Sequence, residues 1–269
     1  MTATPYRVVI TDLDGTIVRK DGTMSAATVA AAADLQRLGI PLVVATARTP
    51  AGLAAIEHLV PLTTVAVCCT GALGWSPGTE RVLWRRFIGP EAVHRIAGVL
   101  GGLDRLGLAS FDGSRWRMTA DYRGFGGRMP RGPAEVVPLG VVAGSPACVM
   151  AVRVSGLTSA DIARHLADVG VSDDDATLTW AADDLLDIAP PGVDKATGVG
   201  TALELLDVTW DAAVAFGDMP NDLAMLRAAA VAVVAGDAPH VVAAAADLIG
   251  GQVVEDGFAA SLRRLGVLA

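Results

Sequence analysis

Lysine is nearly missing from this 269-residue chain: Lys20 and Lys195 stand against nineteen arginines. Basic residues number 21 against 29 acidic ones, a formal charge of -8. That balance excludes the basic surface needed for broad nucleic-acid or anionic-membrane binding. A small anionic substrate stays compatible with it, because a bound cation reverses the local field. Cysteine is scarce too. Cys68, Cys69 and Cys148 have no zinc-type spacing and leave one unpaired in any disulfide scheme. Adjacent Cys68 and Cys69 lie in an apolar run and read as buried, inert thiols. No long hydrophobic run occurs: the stretch 228–236 is far shorter than the roughly 20 residues a membrane-spanning helix needs. The start, MTATPYRVVITDLDGT, has no basic stretch before an apolar core, so no signal peptide is read and a cytoplasmic location is expected. Aromatics make up 4% of the chain, and its tryptophans form no stripe, so they read as packing residues.

What is abundant is apolar material, 52% of residues, enough for a substantial core in one large or two ordinary domains. Its arrangement alternates. A strand is expected over 7–11, a helix capped by Ser25 running to 38 with Gly39 as a left-handed stop, a strand over 41–45, a helix over 50–59 and a strand over 64–69. After Gly71 the pattern changes. It predicts a helix over 91–100, strands over 108–111 and 115–118, and a Gly/Pro/Arg-rich loop over 121–133. A strand over 148–154, a helix over 159–169 and strands over 177–180 and 185–189 follow, with strands pairing to near neighbours. Alternation then returns, with helices over 195–206 and 220–229 and strands over 212–216 and 231–234. The expected fold class is α/β, a parallel-sheet core from residues 1–76 and 187–269 with an α+β domain of residues 77–186 inserted into it.

Four segments can carry chemistry. The first is Asp12-Leu13-Asp14-Gly15-Thr16, directly after the first strand. Carboxylates two apart on an extended chain point to the same side, and ligands bind at the carboxyl ends of parallel strands. Two such groups repel unless a cation binds or one keeps a proton. Gly15 permits a tight turn that Thr16 can bridge; an ordinary Asp-Gly turn is the plain alternative. The second, Gly217-Asp218-Met219-Pro220-Asn221-Asp222, repeats the arrangement after another apolar strand. Its side-chain oxygens suit a hard cation such as Mg²⁺, with helix capping as the alternative. The third is Lys195, a compact point charge at a helix start in a chain that otherwise uses arginine. It can touch a phosphate while pairing with a carboxylate; a surface lysine there would oppose the helix dipole. The fourth is Thr46-Ala47-Arg48, where a hydroxyl and backbone N–H groups at a strand-to-helix turn can hold an oxyanion.

In this order the four segments resemble the haloacid dehalogenase superfamily of phosphatases, in particular its Cof-type branch with a large α/β cap inserted after the third core strand. Asp12 to Thr16 meet the pattern Asp-x-Asp-Gly-Thr, Thr46 the Ser/Thr after strand two, Lys195 the lysine, and Gly217 to Asp222 the Gly-Asp-x-x-Asn-Asp. The chain departs from the branch at Ala47 and Thr70, where Gly and Asn are common, at Ala196, and at Gly236-Asp237-Ala238. None of these removes a group essential to the chemistry.

The resemblance implies that Asp12 attacks phosphorus and forms an aspartyl-phosphate, while Asp14 protonates the leaving oxygen and then deprotonates water. It implies Mg²⁺ held by Asp12, the backbone carbonyl of Asp14, and Asp218. Thr46, Ala47, Lys195 and Asn221 would contact the phosphoryl oxygens, and Asp222 and Thr16 would orient these groups from behind. A small phosphorylated metabolite, such as a sugar phosphate, is the implied substrate.

One segment of the inserted domain reverses the sign of the chain: Arg115, Arg117, Arg123, Arg128 and Arg131 stand against one acid, Asp121. A solvated loop whose arginines offset the acidic remainder is the reading preferred slightly; the alternative is that some of them, with Arg48, bind a second anionic group of the substrate. The single histidines and Asp173-Asp174-Asp175 read as surface or loop residues. Three other readings compete: a phosphotransferase or sugar phosphomutase on the same fold, a phosphorylatable receiver domain, and a non-catalytic metabolite-binding protein. Receivers place the acceptor aspartate on a middle strand, whereas Asp12 ends the first.

Overall fold

The computed structural model of the chain describes residues 5–125 and 130–269. Its first part contains strands β1 (Val8–Thr11), β2 (Leu42–Ala45), β3 (Val65–Cys68), β4 (Leu73–Ser76) and β5 (Arg81–Arg85), with helices α1 (Ala26–Arg37) and α2 (Pro50–Ala54) between them. The Ser25 hydroxyl accepts the Thr28 N–H to cap α1, and Gly39, at φ +71°, turns the chain out of it. Helix α2 stops short of the expected residue 59 because its continuation tightens to three-residue turns, Ile56 N–H to Leu53 O and Leu59 N–H to Ile56 O.

The middle part holds α3 (Pro90–Leu100), β6 (Leu106–Phe111), β7 (Trp116–Met118), α4 (Ala120–Gly124), β8 (Ala134–Val136), α5 (Leu139–Ala143), β9 (Val149–Val154), α6 (Ser159–Asp168), β10 (Thr177–Ala182) and β11 (Leu185–Ala189). The last part returns to alternation with α7 (Lys195–Leu205), β12 (Ala213–Gly217), α8 (Leu223–Ala228), β13 (Val231–Val234), α9 (His240–Ala243), β14 (Leu248–Ile249) and α10 (Gly257–Arg264).

The outer thirds of the chain combine in one eight-stranded sheet, ordered β14-β13-β12-β1-β2-β3-β4-β5. It is parallel from β14 to β3 and ends in two antiparallel strands. Strand β1 is central and buried on both faces, which is why its sequence VVIT is a continuous apolar run. Val9 packs with Leu35, Val44 and Phe258 on one face, and Ile10 with Val43, Val199 and Met225 on the other.

The second sheet has six strands, ordered β10-β11-β9-β6-β7-β8. Its pairings join strands well separated in sequence, β6 with β9 and β9 with β11, rather than near neighbours alone. Side chains alternate across it. Leu108, Met150, Val152 and Leu186 pack under helices α3, α5 and α6, whereas Ala109, Phe111, Trp116, Met118 and Ala151 join the core that reaches the first sheet. The expected loop over 121–133 begins as helix instead. Thr119 caps α4, and Tyr122 is buried against Gly107, where a Cβ would come within 2.8 Å of the Tyr122 Cα. The first sheet continues past residue 76 to Arg85, and the second past residue 186 to Ala189. Among the described residues no helix is long and apolar enough to cross a membrane. The three cysteines are buried free thiols.

Candidate active site

Strands β1 and β12 lie side by side with Thr11 opposite Phe216, and the Asp12 N–H donates to Phe216 O at 2.9 Å. Asp12 and Asp218 therefore leave adjacent strands at the same level. Carboxylate oxygens of Asp12, Asp218 and Asp222 all lie within 4.8 Å of one another. Two glycines make room for this. A Cβ on Gly15, at φ +98°, would stand 2.3 Å from Asp218 Oδ2, and one on Gly217 would stand 2.7 Å from the Asp222 Cβ. The Thr16 hydroxyl donates to Asp218 Oδ1 at 2.9 Å, tying the two loops together.

Lys195, the first residue of α7, is buried among these acids, with Nζ 2.5 Å from Asp12 Oδ1 and 2.7 Å from Asp222 Oδ1. The helix is brought there by close backbone packing. Gly71, at φ +109°, has no space for a Cβ, which would meet Asp194 O at 2.0 Å, and a Cβ on Gly198 would come within 2.6 Å of the Gly71 Cα. Asp194 caps the helix by accepting the Thr197 N–H.

Asp222 belongs to the acidic trio, but its oxygens are committed. Oδ1 faces Lys195, and Oδ2 accepts the backbone N–H groups of Asp218 and Met219 at 3.1 and 3.0 Å. Its geometry fits orienting Lys195 and the Asp218 loop. The Asp14 side chain lies outside the trio. Both its oxygens are gripped by Arg48, Nε to Oδ2 at 2.7 Å and Nη2 to Oδ1 at 2.5 Å. At the end of β2, Thr46 Oγ1 accepts the Arg48 N–H at 3.1 Å, which leaves the hydroxyl proton for a ligand. The turn is braced from β3: Cys69 and Thr70, at φ 51° and 53°, donate their N–H groups to Arg48 O and Thr46 O.

Three carboxylates around one ammonium leave the site over-charged. Burial pushes the Asp12 carboxyl up to about 8; Lys195 pulls it down, and Asp222 and Asp218 push it further up. Asp218 is raised to about 6 by burial and by Asp222. Burial alone would lower Lys195, but Asp12 and Asp222 hold it above its ordinary value, so it stays an ammonium. A divalent cation fits this donor set: the oxygens are hard and close together, they carry uncompensated negative charge, and Gly15 keeps the space beside Asp218 clear.

Above the cluster is a cavity of about 380 Å³ between the two sheets. Its floor includes Asp12, Asp14, Thr46, Ala47, Lys195 and Asn221. Asn221 Oδ1 is buried and has no donor among the described residues. Of the arginines considered from sequence, Arg48 and Arg131 line the cavity. Arg115 and Arg123 are exposed elsewhere, and Arg117 pairs with Asp112 at 2.7 Å. The reason is the period of β7, which turns Trp116 and Met118 towards the first sheet and Arg117 away from it. Of the described members of the set, Arg48 and Arg131 reach the cavity and Arg115, Arg117 and Arg123 do not; Arg128 lies outside the described residues. The sequence reading missed the roof: Trp116, Tyr122, Arg153, Trp180, Leu185 and Asp187. A signal was there, since Arg153 and Asp187 are single charges inside the apolar strands VMAVRV and LLDIA.

Residues 9–127 and 150–262 match the family model for haloacid dehalogenase-like hydrolases. The pyridoxal phosphate phosphatase YbhA of Escherichia coli is 25% identical over 269 residues, covering 94% of this chain and 96% of that protein. A stretch of 91 residues is 37% identical to the chloroplastic endoribonuclease YBEY of Arabidopsis thaliana, covering 34% of this chain and only 16% of that protein. Among solved structures, the subclass IIB sugar phosphatase BT4131 matches with a TM-score of 0.82 at 20% identity, over 97% of this chain and 100% of that one. BT1666 from Bacteroides thetaiotaomicron matches with a TM-score of 0.82 at 22% identity, over 98% and 96%. At these identities the structural likeness is one of fold.

Proposed function

The chain belongs to the haloacid dehalogenase-like hydrolases, and from that premise we propose that it is a Mg²⁺-dependent phosphatase that hydrolyses a small phosphorylated metabolite through an aspartyl-phosphate at Asp12. The observation that carries this reading is the Asp12 carboxylate beneath the cavity, one oxygen fixed by Lys195 and the whole group facing Asp218.

In the first displacement an Asp12 oxygen attacks phosphorus, and the ester oxygen leaves with a proton from Asp14. In the second, water attacks the same phosphorus, gives its proton to Asp14 and frees the Asp12 carboxylate with inorganic phosphate. Lys195 keeps Asp12 aimed and meets the phosphoryl oxygens, with the Thr46 hydroxyl, the backbone at Ala47 and the Asn221 side chain around them. To act as an acid, Asp14 must release at least one of its two bonds to Arg48. Bound Mg²⁺, held by Asp12, Asp218 and the Asp14 carbonyl, would offset the repulsion between an anionic nucleophile and an anionic ester.

The substrate class follows from size and kinship. A cavity of about 380 Å³ takes a phosphate with a small organic group. The relatives named above include a pyridoxal phosphate phosphatase and a sugar phosphatase. The test is release of inorganic phosphate from a panel of sugar phosphates, nucleotides and phosphorylated cofactors, with Mg²⁺ or with EDTA. Turnover should need Mg²⁺ and vanish in Asp12→Asn, which keeps the shape and removes the attacking charge. Near-normal kcat in that variant would refute the assignment.

A further inference from the structure

The roof of the cavity is apolar for most of its extent, and its few polar groups are placed with care. Strands β9 and β11 pair antiparallel with Asp187 opposite Ala151, so Ala151, Arg153, Leu185 and Asp187 share the face that looks down on the nucleophile. Trp116 closes one side, and Trp180 stands at the mouth, half-exposed. Arg153 and Asp187 are 6% and 8% exposed. The Arg153 guanidinium lies 5.9 Å from the centre of the Tyr122 ring, with Nε 3.5 Å from Asp184 Oδ2. The Trp116 indole N–H is buried and has no acceptor among the described residues.

We infer that Asp187, Arg153 and Trp116 are the specificity determinants for the leaving group, and that this group is a flat aromatic or heteroaromatic ring carrying a hydrogen-bond donor and an acceptor at its edge. The inference rests on the phosphatase reading for the position of the phosphate. A polyhydroxylated leaving group would bring four or five hydroxyls under this roof, where Leu185 and Ala151 offer them nothing. Hydroxyls buried without partners are strongly disfavoured. A ring instead lays its faces against Trp116, Leu185 and Ala151. Its edge meets one acceptor, Asp187, and one donor, Arg153.

An ordinary internal ion pair is the plainer explanation of Arg153 and Asp187, and two observations weigh against it. Both residues line the cavity instead of being sealed from it. Burial, opposed only in part by Arg153, leaves the Asp187 carboxyl raised to about 7. A side chain whose only purpose was to neutralise that arginine would be held low.

The experiment measures binding by isothermal titration in the Asp12→Asn background, so that turnover does not consume the ligand. The probes are pyridoxine 5′-phosphate, a ring with polar edges and no reactive aldehyde, then benzyl phosphate, the bare ring, and glucose 6-phosphate, the polyol. Pyridoxine 5′-phosphate should bind at least tenfold more tightly than either of the others. Adding Asp187→Asn or Arg153→Gln, which alter the acceptor and the donor at the ring's edge, should cut that advantage at least fivefold. Thermal melts verify folding; should one variant melt early the other decides alone, and should both, the affinity order of the three probes decides. Equal affinities for the two ring phosphates, tighter binding of glucose 6-phosphate, or an advantage that survives the folded variants would overturn the inference. Wild-type turnover of the same three phosphates with Mg²⁺ is followed in parallel. Turnover of any of them without discrimination sinks the inference alone, whereas discrimination with no turnover of any sinks the phosphatase reading, and with it the ring's role as leaving group, and leaves the roof as a ring-binding site.

Discussion

Arg48 holds Asp14 by both carboxylate oxygens, at 2.7 and 2.5 Å, while a third bond from its Nη1 to Gly52 O at 3.1 Å anchors the guanidinium to α2. Asp14, the proton donor of the proposed mechanism, is thereby positioned by a planar group fixed to the turn that also carries Thr46. Lysine could supply the charge but not two parallel bonds.

Arg48→Lys should therefore lower kcat by about tenfold to a hundredfold, part of the roughly 10²–10⁴-fold that a positioned general acid supplies, with a smaller change in KM. Steady-state kinetics on a generic aryl phosphate checks this. A raised KM with unchanged kcat would mean that Arg48 acts only by binding substrate.

Gly15→Ala tests the proposed cation site without replacing a ligand. The added Cβ would lie 2.3 Å from Asp218 Oδ2, at a φ of +98° that L residues rarely adopt. Asp218 must shift, so the Mg²⁺ concentration needed for half-maximal activity should rise at least tenfold. The same shift should appear in a thermal titration with Mg²⁺, which reads binding without catalysis.

The metal-free protein should lose stability as pH rises. Asp12 and Asp218, raised to about 8 and about 6, keep protons in the folded state that the unfolded chain has released near 3.8. From about pH 4 to pH 8 the folded state binds the more protons, so this contribution falls with rising pH. Lys195, shifted upward, gives its full stabilisation throughout that range. Mg²⁺ competes with the retained protons, so its stabilisation should be small at pH 5 and large at pH 8. At a hundred times its dissociation constant it should add about 2.7 kcal/mol, or roughly 5–10 °C in Tm for a chain of this size. Differential scanning fluorimetry with and without EDTA measures it; equal Mg²⁺ shifts at the two pH values would count against the carboxylate site.

The floor of the cavity and the acidic trio beneath it were legible in the sequence because their residues follow strand ends. Asp12, Thr46 and Asp218 each come directly after, or one residue beyond, a run of buried β-branched and small residues, and such runs announce themselves. Lys195 was legible through its rarity. The roof was not, because its geometry depends on register between distant strands. Nothing local says that Ala151 faces Asp187, or that β6 pairs with β9 across the intervening β7, α4, β8 and α5. Which of the arginines of 115–131 reach the cavity was hidden for the same reason: charge can be counted along a chain, but the face of β7 that carries Arg117 is set by packing. Helix α4 was hidden by its glycine-rich surroundings, although Thr119 caps it in the ordinary way.

Asp187 makes the last prediction, since it is the buried acid farthest from the cation site in role. Its carboxyl is raised to about 7 by burial, with Arg153 pulling it down; that charge also acts on the nearby Tyr122 hydroxyl and Cys69 thiol, both pushed up chiefly by burial. At pH 8 the folded protein must hold this carboxylate ionised where burial disfavours its charge. As pH falls from about 7 towards 4, the folded state takes up the proton while the unfolded chain does not, and stability rises. Asp187→Asn is neutral throughout and has no such slope. Plotted against pH, wild-type stability minus that of the variant should climb as pH drops from 7 to 4, by at most about 1.4 kcal/mol per unit, and then level off below the unfolded value of 3.8. Any constant offset from altered contacts with Arg153 leaves that slope untouched. Urea melts of both proteins at pH 4.5, 6 and 8, all with EDTA, isolate it; parallel lines would show that Asp187 is ionised in the folded protein across the whole range.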